Sequence, residues 1–159
     1  MKTFAGLSAL LFFFAGCSAS GPYFKDTHYA RQPVPPDRAR IIIFRESDGN
    51  FRSVELDVDD QIIGKLAGGE FIVEESAPGE RRMTVSLKGE FTIKMKLEAG
   101  QTYYIRVSPR EERSTYRLIG FFSAVGSWMS PADAKGGFKL QPVHPDVALV
   151  ALAELNLSE

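Results

Sequence analysis

The side chains able to carry chemistry in this 159-residue chain are few, and each is constrained by its neighbours. Histidine occurs only as His28 and as His144, just before Pro145. A Ser-His-Asp or Cys-His relay would have to use one of these, and the two share no element at metal-ligand spacing. Ser123 lies in Gly120-Phe121-Phe122-Ser123-Ala124-Val125-Gly126, which is not the Gly-x-Ser-x-Gly elbow of hydrolases. Glu55, Asp57, Asp59 and Asp60 offer carboxylate oxygens without the spacing of a calcium-binding loop, and they suit a solvated strand face and turn. Gly64, Gly68 and Gly69 are followed by no Lys-Ser/Thr helix start, so they are turn residues rather than a phosphate cradle. The expectation is a protein that is not an enzyme and holds no metal or cofactor. Cys17 is the remaining reactive group, and as the only cysteine it has no disulfide partner within the chain.

The position of Cys17 gives it a role. Met1-Lys2 is a short positive start, Phe4 to Phe14 is an apolar stretch, and Ala15-Gly16 supplies the small residues a signal peptidase needs before its cut. The apolar stretch is shorter than the ~20 residues that cross a bilayer as a helix. The arrangement resembles the lipobox of bacterial lipoproteins, with Phe14 where leucine is usual. That resemblance implies a diacylglyceryl group on the Cys17 sulfur, cleavage before it, and an acyl chain such as palmitate on the new amine. Two or more chains anchor stably, whereas one binds only marginally. Ser18, rather than aspartate, after the cysteine implies passage to the outer membrane, facing the periplasm, in a Gram-negative host.

The elements behind these residues follow from period and punctuation. With 44% hydrophobic and 25% charged residues the chain can build a packed core, and its length suits one domain. The net charge of −1 and the pairing of Arg81-Arg82 and Arg110, Arg113 with neighbouring glutamates give no basic surface for nucleic acid. Residues 1–16 read as signal peptide, 17–38 as lipidated cysteine and proline-rich tether, and 39–159 as the folded domain. Extended, the tether would span roughly 60 Å. Its Tyr23, Phe24 and Tyr29 either rest on the membrane interface or cover an edge of the domain.

From Ala39 the period is two, which marks strands with one buried face. Ile41-Ile42-Ile43-Phe44 is a continuous apolar run suited to a central strand. Strands follow at Val54–Val58, Ile62–Leu66 and Phe71–Val73. Met83–Leu87 and Phe91–Leu97 form the clearest hairpin, joined at Lys88-Gly89-Glu90. Tyr103–Val107, Tyr116–Phe122 and Phe138–Leu140 complete the strands, and Pro145 to Leu155 reads as a short helix opened by its proline. Strands at this spacing predict a mostly β chain, an antiparallel β-sandwich of transthyretin or immunoglobulin type with a short C-terminal helix.

The order Ala39-Arg40-Ile41-Ile42-Ile43-Phe44-Arg45, Val58 to Leu66, Pro78-Gly79-Glu80 and Ala99 to Val107 resembles the lipoprotein family catalogued as domain of unknown function 2846. It is also similar to the surface-sandwich modules named for a Pro-Glu-Gly-Ala motif, which Pro78-Gly79-Glu80 partly follows. The first resemblance implies a transthyretin-like sandwich on a lipid tether and no assigned reaction. It covers Arg38 to Val107 and, loosely, Phe138 to Leu155, with Ser123 to Gly137 an insertion.

Inside that insertion and just before it, Leu118 to Met129 is the most distinctive stretch after the anchor. Phe121, Phe122, Trp128 and Met129 either enter the core or expose an apolar patch for a partner or membrane. The leading expectation is an envelope lipoprotein serving as an interaction or scaffolding module, whose partner engages the 118–129 region or a sheet edge. The alternative is a periplasmic small-ligand or glycan-binding domain with Tyr103, Tyr104 and Trp128 as stacking platforms.

Overall fold

The computed structural model describes residues 21–49, 52–109 and 137–158. Cys17, the signal segment, Tyr116 to Phe122, and the residues Phe121, Phe122, Ser123, Trp128 and Met129 lie outside the described residues. Among the described residues the chain runs through β1 (Ala39–Arg45), β2 (Val54–Val58), β3 (Gln61–Leu66), β4 (Glu70–Ser76), β5 (Gly79–Ser86), β6 (Glu90–Leu97), β7 (Thr102–Pro109) and β8 (Phe138–Val143). It continues with α1 (Pro145–Leu152) and β9 (Asn156–Leu157), and two 3-10 turns, Phe24–Asp26 and His28–Ala30, precede β1. The strands form two sheets, one ordered β8-β7-β1-β4-β9 and the other β3-β2-β5-β6. This is the β-sandwich with a short C-terminal helix that the period-two pattern predicts.

The sheets pack through their alternating apolar positions. Ala39, Ile41, Ile43, Val54, Leu56, Met83, Val85, Ile93, Leu97 and Ile105 belong to one buried cluster between them. The β5–β6 hairpin supplies much of it, with Met83 opposite Ile93 and Val85 opposite Phe91. Its turn needs left-handed backbone at Lys88 (φ 53°) and Gly89 (φ 128°). The second of these is the conformation that glycine adopts without a Cβ penalty.

The continuous apolar run in β1 has its own cause. Every β1 residue is buried, because a second cluster covers the other face of its sheet. Ile42, Phe44 and Phe71 pack there against Phe24, Ala148, Leu152 and Leu155. The molecule is therefore three layers deep: the four-stranded sheet, the five-stranded sheet, and an outer layer made of α1 and the segment before β1. A strand covered on both faces has no polar alternation.

The structure departs from the expected layout in three places. β1 lies between an antiparallel neighbour, β4, and a parallel one, β7, because β2 and β3 leave for the other sheet before β4 returns. The helix ends at Leu152 rather than Leu155, and the chain then turns into β9, which runs parallel to β4. The largest departure concerns residues 21–38. They are not an extended tether but part of the fold: Phe24 is buried with its ring 5.4 Å from that of Phe71, edge to face. Its N–H donates to the Leu155 carbonyl at 3.0 Å, and the Leu157 N–H donates to the Pro22 carbonyl at 2.9 Å. Residues 21–30, expected in the tether, are thus packed into the fold. Aromatic anchors spaced among prolines pack without any period for a sequence to display.

Candidate functional site

Two surfaces of the sandwich gather side chains with chemical potential. The first is the exposed face of the four-stranded sheet. Register places Asp57 beside Thr84 and Thr84 beside Thr92 across three neighbouring strands. The two threonine hydroxyls lie 3.0 Å apart and are buried. Burial pushes the Asp57 carboxyl above its ordinary value, Asp60 adds to that, and a hydrogen bond from Thr84 offsets part of it. Asp59 and Asp60 lie in the β2–β3 turn, both with left-handed backbone (φ 51° and 65°). Their carboxylates face arginines: Asp59 accepts from the Arg82 N–H at 2.9 Å and lies 3.5 Å from Arg81 Nε, while Asp60 pairs with the Arg82 guanidinium. Glu55, with Lys65, Lys88 and Glu90, lines a shallow polar groove of about 570 Å³ at the far end of the sheet. The four acidic residues are thus spread over a turn and a strand face, and the two in the turn are matched by cations.

The second surface is the outer layer over the five-stranded sheet. Arg40 fastens it. Buried at the start of β1, Arg40 reaches Glu75 Oε1 through Nε at 3.0 Å and Nη2 at 2.8 Å, and it donates through Nη1 to the carbonyls of Gln32 (2.8 Å) and Tyr29 (3.3 Å). One guanidinium therefore clamps the segment before β1 to the sheet, which a lysine's single ammonium would not reproduce. Arg45, at the other end of β1, donates to the Arg52 carbonyl at 2.6 Å and to both Asp48 oxygens at 2.9 Å, and sits 4.6 Å over the Phe138 ring. It holds the β1–β2 connection against the start of β8. Neither arginine was singled out from sequence, although a cation at each end of an all-buried strand must find partners.

The outward side of that layer is apolar. α1 buries Ala148 and Leu152 but exposes Val147, Leu149 and Val150, the last 76% exposed. Tyr23 is also exposed, with Lys25 Nζ 5.3 Å from its ring centre. Of the aromatics before β1, Phe24 and Tyr29 cover the sheet and Tyr23 faces outward.

Other expected site residues are placed as follows. Tyr103 and Tyr104 are consecutive on β7 and so face opposite sides of the sheet. Tyr103 packs on the inter-sheet core, its hydroxyl accepting from the Glu98 N–H at 2.8 Å, and Tyr104 packs on the outer cluster. Burial raises the pKa of both phenols. They cannot form one stacking platform. His28 stacks on Tyr29 with ring centres 3.8 Å apart, and His144 caps α1, accepting weakly from the Asp146 N–H at 3.4 Å. No helix among the described residues is long and apolar enough to cross a membrane.

Comparison with known proteins adds one finding. No curated protein matches the chain, and no solved structure does. A family model described as protein of unknown function (DUF2846) matches residues 35–117, from the approach to β1 through all of β2 to β7. Because that match covers more than half of the 159 residues, the chain belongs to the DUF2846 family.

Proposed function

We propose that this protein is a lipoprotein of the bacterial envelope, acylated at Cys17 and held on the periplasmic side of the outer membrane. There it serves as a non-catalytic interaction or scaffolding module. The observation that carries the reading is the docking of residues 21–38 onto the five-stranded sheet. With Gly21 already at the packed seam, a chain acylated at Cys17 is held against the bilayer, since four residues reach about 14 Å at full extension. Two further features favour a binding rather than a catalytic role. Arg40 and Arg45, the buried cations among the described residues, hold structure, and the histidines stack on a ring and cap a helix.

A sheet-edge partner has less support than a face. Among the described residues, β6 carries Lys94 and Lys96 outward at its edge, β3 carries Lys65 and pairs with β2 through a bulge, β8 carries Pro142, and β9 is two residues long and bridged by Tyr23. Each of these devices blunts strand addition.

The test is expression in a Gram-negative host with an alkyne-bearing fatty acid in the medium. The wild-type chain should take up the label and sediment with outer membranes. Cys17→Ser should retain its signal and take up none; labelling of that variant would refute the reading. Recovery of a specific envelope protein by crosslinking from the wild type, but not from a variant with Lys94 and Lys96 changed to glutamate on the outer face of the four-stranded sheet, would establish the interaction role.

A further inference from the structure

We infer that the outer face of α1, with Tyr23 and Lys25, lies on the lipid surface, so that the domain rests on its membrane by this side. The inference depends on the lipid anchor proposed above and specifies the orientation in which that anchor holds the domain. It starts from an unusual helix. Val147, Ala148, Leu149, Val150, Ala151 and Leu152 succeed one another without a polar residue, although the helix has one face on the sheet and the other outward. A surface helix normally confines its apolar residues to the buried stripe. Here Val147 and Val150, one turn apart, are 49% and 76% exposed, and Leu149 is 43% exposed.

Place in the fold identifies what covers that face. Residues 21–30 and α1 form the same outer layer and share one buried cluster. The turn after α1 is joined to the N-terminal segment through the Phe24 N–H to Leu155 carbonyl bond and the Tyr23–Asn156 bridge. The chain that leads to Cys17 leaves from Gly21 at this seam. With four residues to the lipid, about 14 Å at most, and an eight-residue helix about 12 Å long, the exposed valines are within reach of the surface that the anchor fixes. The opposite sheet, two layers away, presents Glu55, Lys65, Lys94 and Lys96, with Ile62 a single exposed apolar side chain at its edge strand rather than a contiguous apolar face. Tyr23 and Lys25 suit the same boundary, because a tyrosine ring prefers the headgroup level and a lysine stem can lie along apolar surface with its ammonium in water.

The acylated full-length chain provides the test. Its cysteine is blocked by lipid, so Val150→Cys introduces the only free thiol, at a position exposed enough to leave folding intact. A bimane on that thiol, with the protein in phosphatidylethanolamine and phosphatidylglycerol vesicles, should shift its emission to the blue. Nitroxide groups on shallow lipid positions should quench it. The same probe at Lys94→Cys, on β6, should show neither effect. If the protein is vesicle-bound and the probe at position 150 is no more quenched than at position 94, the orientation is wrong while the anchor stands. Concentration-dependent burial of the probe at position 150 without lipid quenching would assign the face to a second copy of the chain and overturn the inference. Failure to bind vesicles at all would remove the anchor itself, and the orientation with it.

Discussion

Arg40 shows how one side chain decides whether eighteen residues are tether or fold. Its guanidinium satisfies two carbonyls of the incoming segment and one carboxylate of β4 at once. Removing it leaves those groups without their donor in a part-buried site and empties the space its own buried side chain fills. Arg40→Ala should therefore lower stability by about 3 kcal/mol in urea unfolding, in the range seen when one partner of a buried pair is lost. The segment before β1 should become sensitive to limited proteolysis, and a variant with unchanged cleavage would show that Arg40 is not the clamp. Asp57 makes the opposite kind of prediction. Its pKa is raised in the folded protein by burial, so protonation favours the folded state. Its destabilising effect is absent well below the ordinary value of 3.8, grows as pH rises through the gap to the folded value, and stays constant above it. Asp57→Asn should raise the melting temperature at pH 7 and change little at pH 3. An effect that grew on acidification would contradict the assigned cause.

Among the elements, β1 to β8 were readable because each carries a periodic or continuous apolar pattern bounded by turn residues. The second strand of the β5–β6 hairpin and its turn match the pattern closely, while β5 begins at Gly79, four residues before the expected Met83, and the unbroken run Ile41–Phe44 is the expected central strand. β9 was not readable, since two residues have no period. Its position comes from pairing with Glu70 and Phe71 after the helix ends. The segment before β1 was misread for a related reason: its order resides in Phe24, Thr27 and Tyr29 and in backbone bonds to distant carbonyls. Of the candidate site residues, Tyr103 and Tyr104 are visible in the sequence as aromatics, and their opposition across the sheet follows from the alternation of consecutive residues on a strand. The N-terminal seam is open to test. Phe24→Ala empties a buried edge-to-face contact with Phe71 and should cost about 3 kcal/mol. At Gly21 a Cβ would lie 1.9 Å from the Leu157 carbonyl oxygen. Gly21→Ala should thus separate the strand ends and speed hydrogen exchange at the Leu157 amide, while the amides of β5 and β6 stay protected. Uniform acceleration across both sheets would mean that the seam is not a separable unit.

For the whole molecule, the three-layer build changes what the anchor means. A domain on a long tether would sample a wide shell of the periplasm and meet partners far from the membrane. With the proposed lipid on Cys17, a domain packed to within four residues of it would work at the bilayer surface, where an apolar helix face is an asset rather than a liability. In the proposed orientation the four-stranded sheet, with its charged face, would point away from the lipid and be the surface offered to envelope partners. All of this rests on the chemistry at Cys17. Intact mass spectrometry of the mature protein, extracted from membranes, addresses it most directly. The account predicts a chain starting at Cys17 and carrying a diacylglyceryl group and one further acyl chain; an N-terminus at any other residue, or an unmodified cysteine, would contradict it.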